Sequence, residues 1–576
     1  MTRSTGEPLP VNAARRAPDR IGDYPWRRLL SWLATARAAF VAHLLSLLAT
    51  FAVLLYYGSH QWFFTDEWEF ITRNLPGPAR LGLFVPHNEH WSTLPILIYR
   101  MLFAAVGLHT YLPYILVLIA LHLTAAHLIW RLAMRAGGSA WIATSTVAVF
   151  LLLGAGWEQL VSAFQMSFSL SLVCGLGWLL VNDLDLPAWA RILSGWVLGV
   201  ATSMSSGIGI PMIGVVAIAA LARRGPRDAL TVASVPVLAN LAWYAVVHPH
   251  ATLPSTGHQL TLLPQFVWHG LSATADSAIG LPVLGTVLVV ALAVWLIVRN
   301  RAVPSIAMGS AAGSFFLFVL VGYGRISLGV DQATAPRYIY LAAALLACPA
   351  ALALTAVSRR VQFAEPLLIA ALALSTLHGA YILRLSVRGQ LVARVRDRAV
   401  VMAAAKVVTS GATFLGAQLD PIYGPDIDIP DLRTLVRTGA LAVTDPVDPA
   451  SLLTVESRVE MSAEPAPAVT GPRPVMTVLD GTTTVSGSCV IQPRTMGAVA
   501  RVKIAFSKPS AFAVSEARPD TVTVILMSGP TGRAAAAPVV YQLRPEVATW
   551  ISVSAPAAVV IINVRTQTSF VGTAGC

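Results

Sequence analysis

Apolar runs of membrane length recur between positions 38 and 384, each closed by a short polar segment. Uncharged runs of about 18 residues or more are long enough for a helix to cross a hydrocarbon core of about 30 Å. The pattern predicts spans near 38–57, 110–130, 140–156, 167–182, 188–204, 207–222, 229–247, 279–298, 304–322, 338–357 and 365–384. One more run, 94–107, is short and carries Arg100 at its middle, so it is assigned to an amphipathic helix along the outer interface. The basic segments "RLAMRAGG" (131–138), "RRGPR" (223–227), "VRNR" (298–301) and "SRR" (358–360) then share one side with the arginine-rich N-terminus. The positive-inside bias makes that side the cytoplasm. The first loop, 58–109, and the chain beyond 385 therefore lie outside.

Beyond 385 the pattern changes. A basic helical connector, "RGQLVARVRDRAVVMAAAKVV", leads to "PDLRTLVRTG", where Leu432, Leu435 and Val436 recur at helical spacing and Gly439 is a stop signal. From 472 onward short β-branched runs such as "VMTVLDGTTTVSGSCVI" and "DTVTVILMSGPTG" alternate with turn residues. The organisation expected is a tail (1–37), a membrane domain (38–384), an extracytoplasmic connector (385–471) and a β domain (472–576). The fold class is a polytopic α-helical membrane protein of about eleven spans with a C-terminal extracytoplasmic β-sandwich-like domain.

Composition agrees with that class. Of 576 residues, 56% are hydrophobic and only 12% charged, with a mean hydropathy of +0.67. The net charge of +12 does not indicate nucleic-acid binding, because the arginines sit in small groups between spans rather than in a basic stripe interleaved with aromatics. Cys489 and Cys576 fall in the outer β domain, where an oxidising compartment permits a disulfide between them; two free thiols are the alternative.

The candidate chemistry collects on the outer rim. "FFTDEWEF" (63–70) places Asp66, Glu67 and Glu69 among aromatic residues directly after the first span. "VPHNEHW" (85–91) adds His87, Asn88, Glu89 and His90. These four are candidates for substrate hydrogen bonds, for positioning, for a divalent metal site, or for ordinary loop structure. Glu158 and Gln165, in "GWEQLVSAFQMSF", are seven apart and share a face if that turn is helical; they either line the site or anchor the turn. Arg325 and Arg337 flank the loop before a late span. An outer arginine there is either an interfacial anchor or a phosphate ligand, for which its planar fork is suited. No P-loop or dinucleotide fingerprint is present.

The motifs "TDEW", "PHNEHW", "WEQLVSAFQ" and "ATAPRYIY", with the architecture up to 385, resemble the GT-C superfamily of polytopic membrane glycosyltransferases, particularly actinobacterial integral membrane members. The resemblance implies a first-loop acid as catalytic base, Asp66 or Glu67, and a cation at the donor phosphate, Arg337 or Arg325. It also implies a polyprenyl-phosphate sugar donor drawn from the membrane lipids and a cell-envelope glycan or lipid acceptor. The chain departs from the commonest pattern in carrying Asp-Glu where Asp-Asp is usual.

Overall fold

The computed structural model describes residues 35–573 except 73–74, 76–81, 88, 249–256, 300–301, 410–426, 428, 444–446, 450, 453–454, 456–460 and the stretches between the C-terminal strands. Ten of the eleven predicted spans overlap a helix over most of their length, whereas 279–298 begins at the end of Leu263–Ile279 and is broken before Leu284–Val298. By length and composition seven described helices can cross a membrane, or eight when Leu263–Ile279 and Leu284–Val298, bent by 112°, count as one broken span. The chain is a multi-pass membrane protein. Ala140–Leu151, at 12 residues, and Ala188–Ser203 and Gly209–Arg224, at 16 each, are shorter; the first and last are half or more buried, whereas Ala188–Ser203 leaves Trp189, Leu193 and Val197 exposed.

Successive helices run between two chemically different ends. Leu112–Arg135 begins beside Tyr111 and, with 24 residues, extends about 36 Å at 1.5 Å per residue. At its far end Arg135 donates to Asp183 at 2.8 Å, and Arg223 binds the other oxygen of the same carboxylate at 2.8 Å. Nearby, Arg191 grips Asp228 through two bonds of 2.5 and 3.1 Å. The basic segments of the sequence thus tie helix ends together.

The helix Thr93–Val106 has 14 residues, about 21 Å, too short to span. Its Thr93, Pro95, Ile96 and Tyr99 are buried and its exit at Gly107 packs on Ala440, whose carbonyl accepts from the Leu108 N–H at 2.8 Å. The last span has no break at 384. It continues as one helix, Ala364–Thr409, of 46 residues, about 69 Å, roughly twice what a bilayer core requires. Its second half buries Val400, Val401, Ala403, Ala404, Val407 and Val408 in the core shared with the first loop. Ile429–Arg437 buries Leu432 and Leu435, and Gly439 follows with φ +74°.

The C-terminal strands form antiparallel sheets. One runs in the order Met461–Glu464, Thr549–Val553, Ser510–Ser515, Phe570–Thr573. The other runs Val475–Asp480, Val499–Ala505, Val559–Arg565, Asp520–Ser528, with Val539–Leu543 and Arg533–Ala534 both paired to Asp520–Ser528. Thr483–Ser486 and Val490–Pro493 make a hairpin. Cys489 and Cys576 lie outside the described residues.

Candidate active site

The acidic stretch opens a short helix, Glu67–Thr72, with two carboxylates in its first turn, where the helix dipole favours negative charge. Glu67 is fully buried. Its Oε2 accepts from the Phe64 N–H at 2.9 Å, reaching back three residues as in a capping box. Its Oε1 accepts from the hydroxyls of Tyr99 and Tyr111, both at 2.9 Å. Arg394, from the second half of the long helix, lies 4.0 Å from Oε2. Burial pushes the Glu67 carboxyl up to about 7, opposed by Arg394 and the three hydrogen bonds. Tyr111 in turn accepts from the Ala163 N–H at 2.7 Å, which fixes the Glu158–Gln165 turn to the same carboxylate.

Asp66 contrasts with its neighbour. It is half-buried and makes no hydrogen bond or ion pair among the described residues. It is near enough to Glu158 and Arg337 to act on both electrostatically. The residue before it, Thr65, has φ +47°. A β-branched side chain seldom adopts that conformation, and holding it costs about 1–3 kcal/mol.

Arg337 and Glu158 pair at 3.4 Å. Burial raises the Glu158 carboxyl above its ordinary range, with Arg337 opposing and Asp66 adding to the rise. Arg325 pairs with Glu89 at 2.5 Å. Both arginines proposed from sequence as phosphate ligands therefore carry a carboxylate partner. Burial lowers His90 to about 4, so its imidazole is neutral at pH 7; its neighbourhood includes Glu89, His87, Arg325 and Arg337.

The "PHNEH" segment turns back on itself, with His87 and His90 exchanging backbone hydrogen bonds of 3.1 and 2.9 Å. His87 pairs with Glu69 and lies edge-on to Phe70 and Phe164, while His90 packs against Phe168 and over Gly207. A Cβ on Gly207 would come within 2.5 Å of His90 Nδ1. No group of three or more metal-ligating side chains is assembled among the described residues. Asn88 lies outside them. Gln165 is buried and accepts from Gln159 at 2.9 Å, and Gln159 is held by Ser169 at 3.0 Å, bonds that anchor the turn.

The Glu158 turn is seated by close backbone contact. A Cβ on Gly154 would meet the Leu383 nitrogen at 2.3 Å, and one on Gly379 would meet the Leu152 carbonyl at 2.4 Å. Only glycine fits at both positions, which brings the turn against the long helix.

The sequence pointed to Asp66, Glu67, His87, Asn88, Glu89, His90, Glu158, Gln165, Arg325 and Arg337; ion pairs and electrostatic interactions link Asp66, His87, Glu89, His90, Glu158, Arg325 and Arg337, Glu67 and Gln165 are buried, and Asn88 lies outside the described residues. The sequence did not point to Arg394, Tyr99 or Tyr111. The available signal was an arginine and Asp397 inside "VARVRDRAVVMAAA", polar residues that become buried in an otherwise apolar helical surface.

Neither a protein-family model nor a curated protein matches the chain. Among solved structures it is similar to ArnT from Cupriavidus metallidurans, in a crystal structure bound to undecaprenyl phosphate. Identity is 14%, covering 73% of this chain and 92% of that one, with a TM-score of 0.45. A likeness at that level transfers neither residues nor reaction.

Proposed function

We propose that the protein is a membrane glycosyltransferase of GT-C type, moving a sugar from a polyprenyl-phosphate donor to a cell-envelope glycan or lipid on the extracytoplasmic face. The observation that carries this reading is a carboxylate, Asp66, that has no hydrogen-bond partner among the described residues and is set among an arginine and a second carboxylate at the end of a bundle of apolar helices. A lipid-phosphate sugar brings its own leaving group, so the protein must remove one proton and stabilise one departing phosphate. The acceptor hydroxyl oxygen attacks the anomeric carbon, the bond from that carbon to the phosphate oxygen breaks, and the phosphate leaves with the electron pair. Asp66 takes the hydroxyl proton. Arg337, released from its long contact with Glu158, meets the phosphate, with Arg325 behind it. Glu67, with both oxygens already engaged, positions the loop.

The second reading is a flippase for lipid-linked sugars, favoured by the broken helix pair Leu263–Ile279 and Leu284–Val298. The two separate on one experiment. Purified protein in liposomes is given radiolabelled polyprenyl-phosphate sugars, one at a time, with envelope acceptors. A glycosyltransferase releases polyprenyl phosphate and labels an acceptor; a flippase moves the intact lipid and releases nothing. Movement without release would reject the enzyme reading.

A further inference from the structure

Three observations converge on the strained turn before Asp66. Thr65 sits at φ +47°, where glycine is at ease and threonine is not. Arg394 holds the residues immediately before it. Its Nη1 donates to the Trp62 carbonyl at 2.9 Å, and its guanidinium lies 4.8 Å from the centre of the Phe64 ring. Glu67 holds the other side by accepting from the Phe64 N–H at 2.9 Å. Arg394 is 2% exposed, and it reaches this position because the long helix continues past the membrane.

We infer that Arg394 is a positioning residue: with Glu67 it clamps the 62–67 turn in its strained form and so aims the Asp66 carboxylate at the acceptor site. The inference rests on the role proposed for Asp66. Arg394 touches no reacting atom. Without it Thr65 relaxes to negative φ, the favoured state of the free chain, and swings Asp66 out of line. Because Arg394 belongs to the helix that leads to the C-terminal sheets, the clamp also ties the reacting loop to the extramembrane half of the chain.

The test compares Arg394→Gln and Phe64→Leu, each with and without Thr65→Gly, in full-length protein. Sugar release from a radiolabelled polyprenyl-phosphate sugar, binding of undecaprenyl phosphate, and amide hydrogen exchange of the 62–70 peptide are measured. The clamp predicts that Arg394→Gln lowers kcat by about 10²-fold, the cost of a displacement of about 1 Å, and that Phe64→Leu lowers it less. Donor binding stays unchanged, and exchange rises in 62–70 but not in 112–135. Thr65→Gly should restore about 5- to 10-fold of the lost kcat in either background, because glycine keeps the turn without the clamp. A merely structural Arg394 would raise exchange throughout and show no rescue, and that result overturns the inference. If Arg394→Gln is not recovered from the membrane, Phe64→Leu, altered at a half-buried site, is judged on the same rescue and exchange. Asp66→Asn separates the two levels. Full turnover in that variant removes the proposed base, whereas a dead Asp66→Asn beside fully active Arg394→Gln and Phe64→Leu removes only the clamp.

Discussion

Two ends of the same helical bundle use charge in opposite ways. At the basic end Asp183 is bound by Arg135 and Arg223, and Arg191 engages Asp228 through both terminal nitrogens and Asn182 at 3.1 Å. Arg224 and Arg359 cap carbonyls at 2.7 and 3.0 Å. Charges there close helix ends. At the rim end the service is uneven: Glu67 is saturated, Asp66 has no bonded partner among the described residues, and the Glu158 to Arg337 contact is stretched to 3.4 Å. Saturated networks fix structure, and incompletely bonded charge is what a substrate can engage.

The sharpest way to break that contrast is Glu67→Ala. It leaves Arg394 buried without its carboxylate, and removing one partner of a buried pair costs about 3–5 kcal/mol, so the melting temperature should fall by many degrees. A Glu67→Ala protein as stable as the parent would remove Glu67 from the structural class.

Arg337→Ala comes next. Donor binding and turnover should both fall, by about tenfold or more, with little change in melting temperature, and Arg337→Lys should recover only part because the planar fork is lost. Full recovery by lysine would leave a simple charge in place of a shaped phosphate ligand.

Stability against pH tests Glu67 more gently. Its carboxyl titrates near 7 when folded against 4.5 when free. A raised acid stabilises the fold in its protonated form, so that contribution is complete below about 4.5 and is lost as pH rises through about 7. The melting temperature should therefore decline across that window, and Glu67→Gln should flatten the decline. A slope of the opposite sign in the same window would contradict the assignment.

The smallest effect belongs to the basic end. Asp185 is exposed and reaches Arg223 at 3.2 Å, so Asp185→Asn should change stability by less than about 1 kcal/mol and leave turnover alone. A clear loss of activity would carry the chemistry to the wrong end of the bundle.

The spans were legible because apolar length is a local property of the chain. Thr93–Val106 was legible too, since Arg100 sits mid-run in a segment too short to cross. Leu263–Ile279 was not, because "PQFVWHGLSATADSAI" mixes His, Ser, Thr and Asp into its apolar pattern. The acidic pair stood out, but the division of labour inside it did not. That division depends on Tyr99, Tyr111 and Arg394, which lie far along the chain and meet Glu67 only after the first loop and the long helix pack together. "RGQLVARVRDRAVV" read as a basic connector because helical periodicity cannot say which arginine turns inward.

The division between Asp66 and Glu67 is tested most directly by one substitution. Asp66→Asn, isosteric and unable to take a proton, should lower kcat for sugar transfer from a polyprenyl-phosphate donor by about 10²- to 10⁴-fold while the melting temperature stays at the parent value. Near-normal transfer by Asp66→Asn would contradict the account.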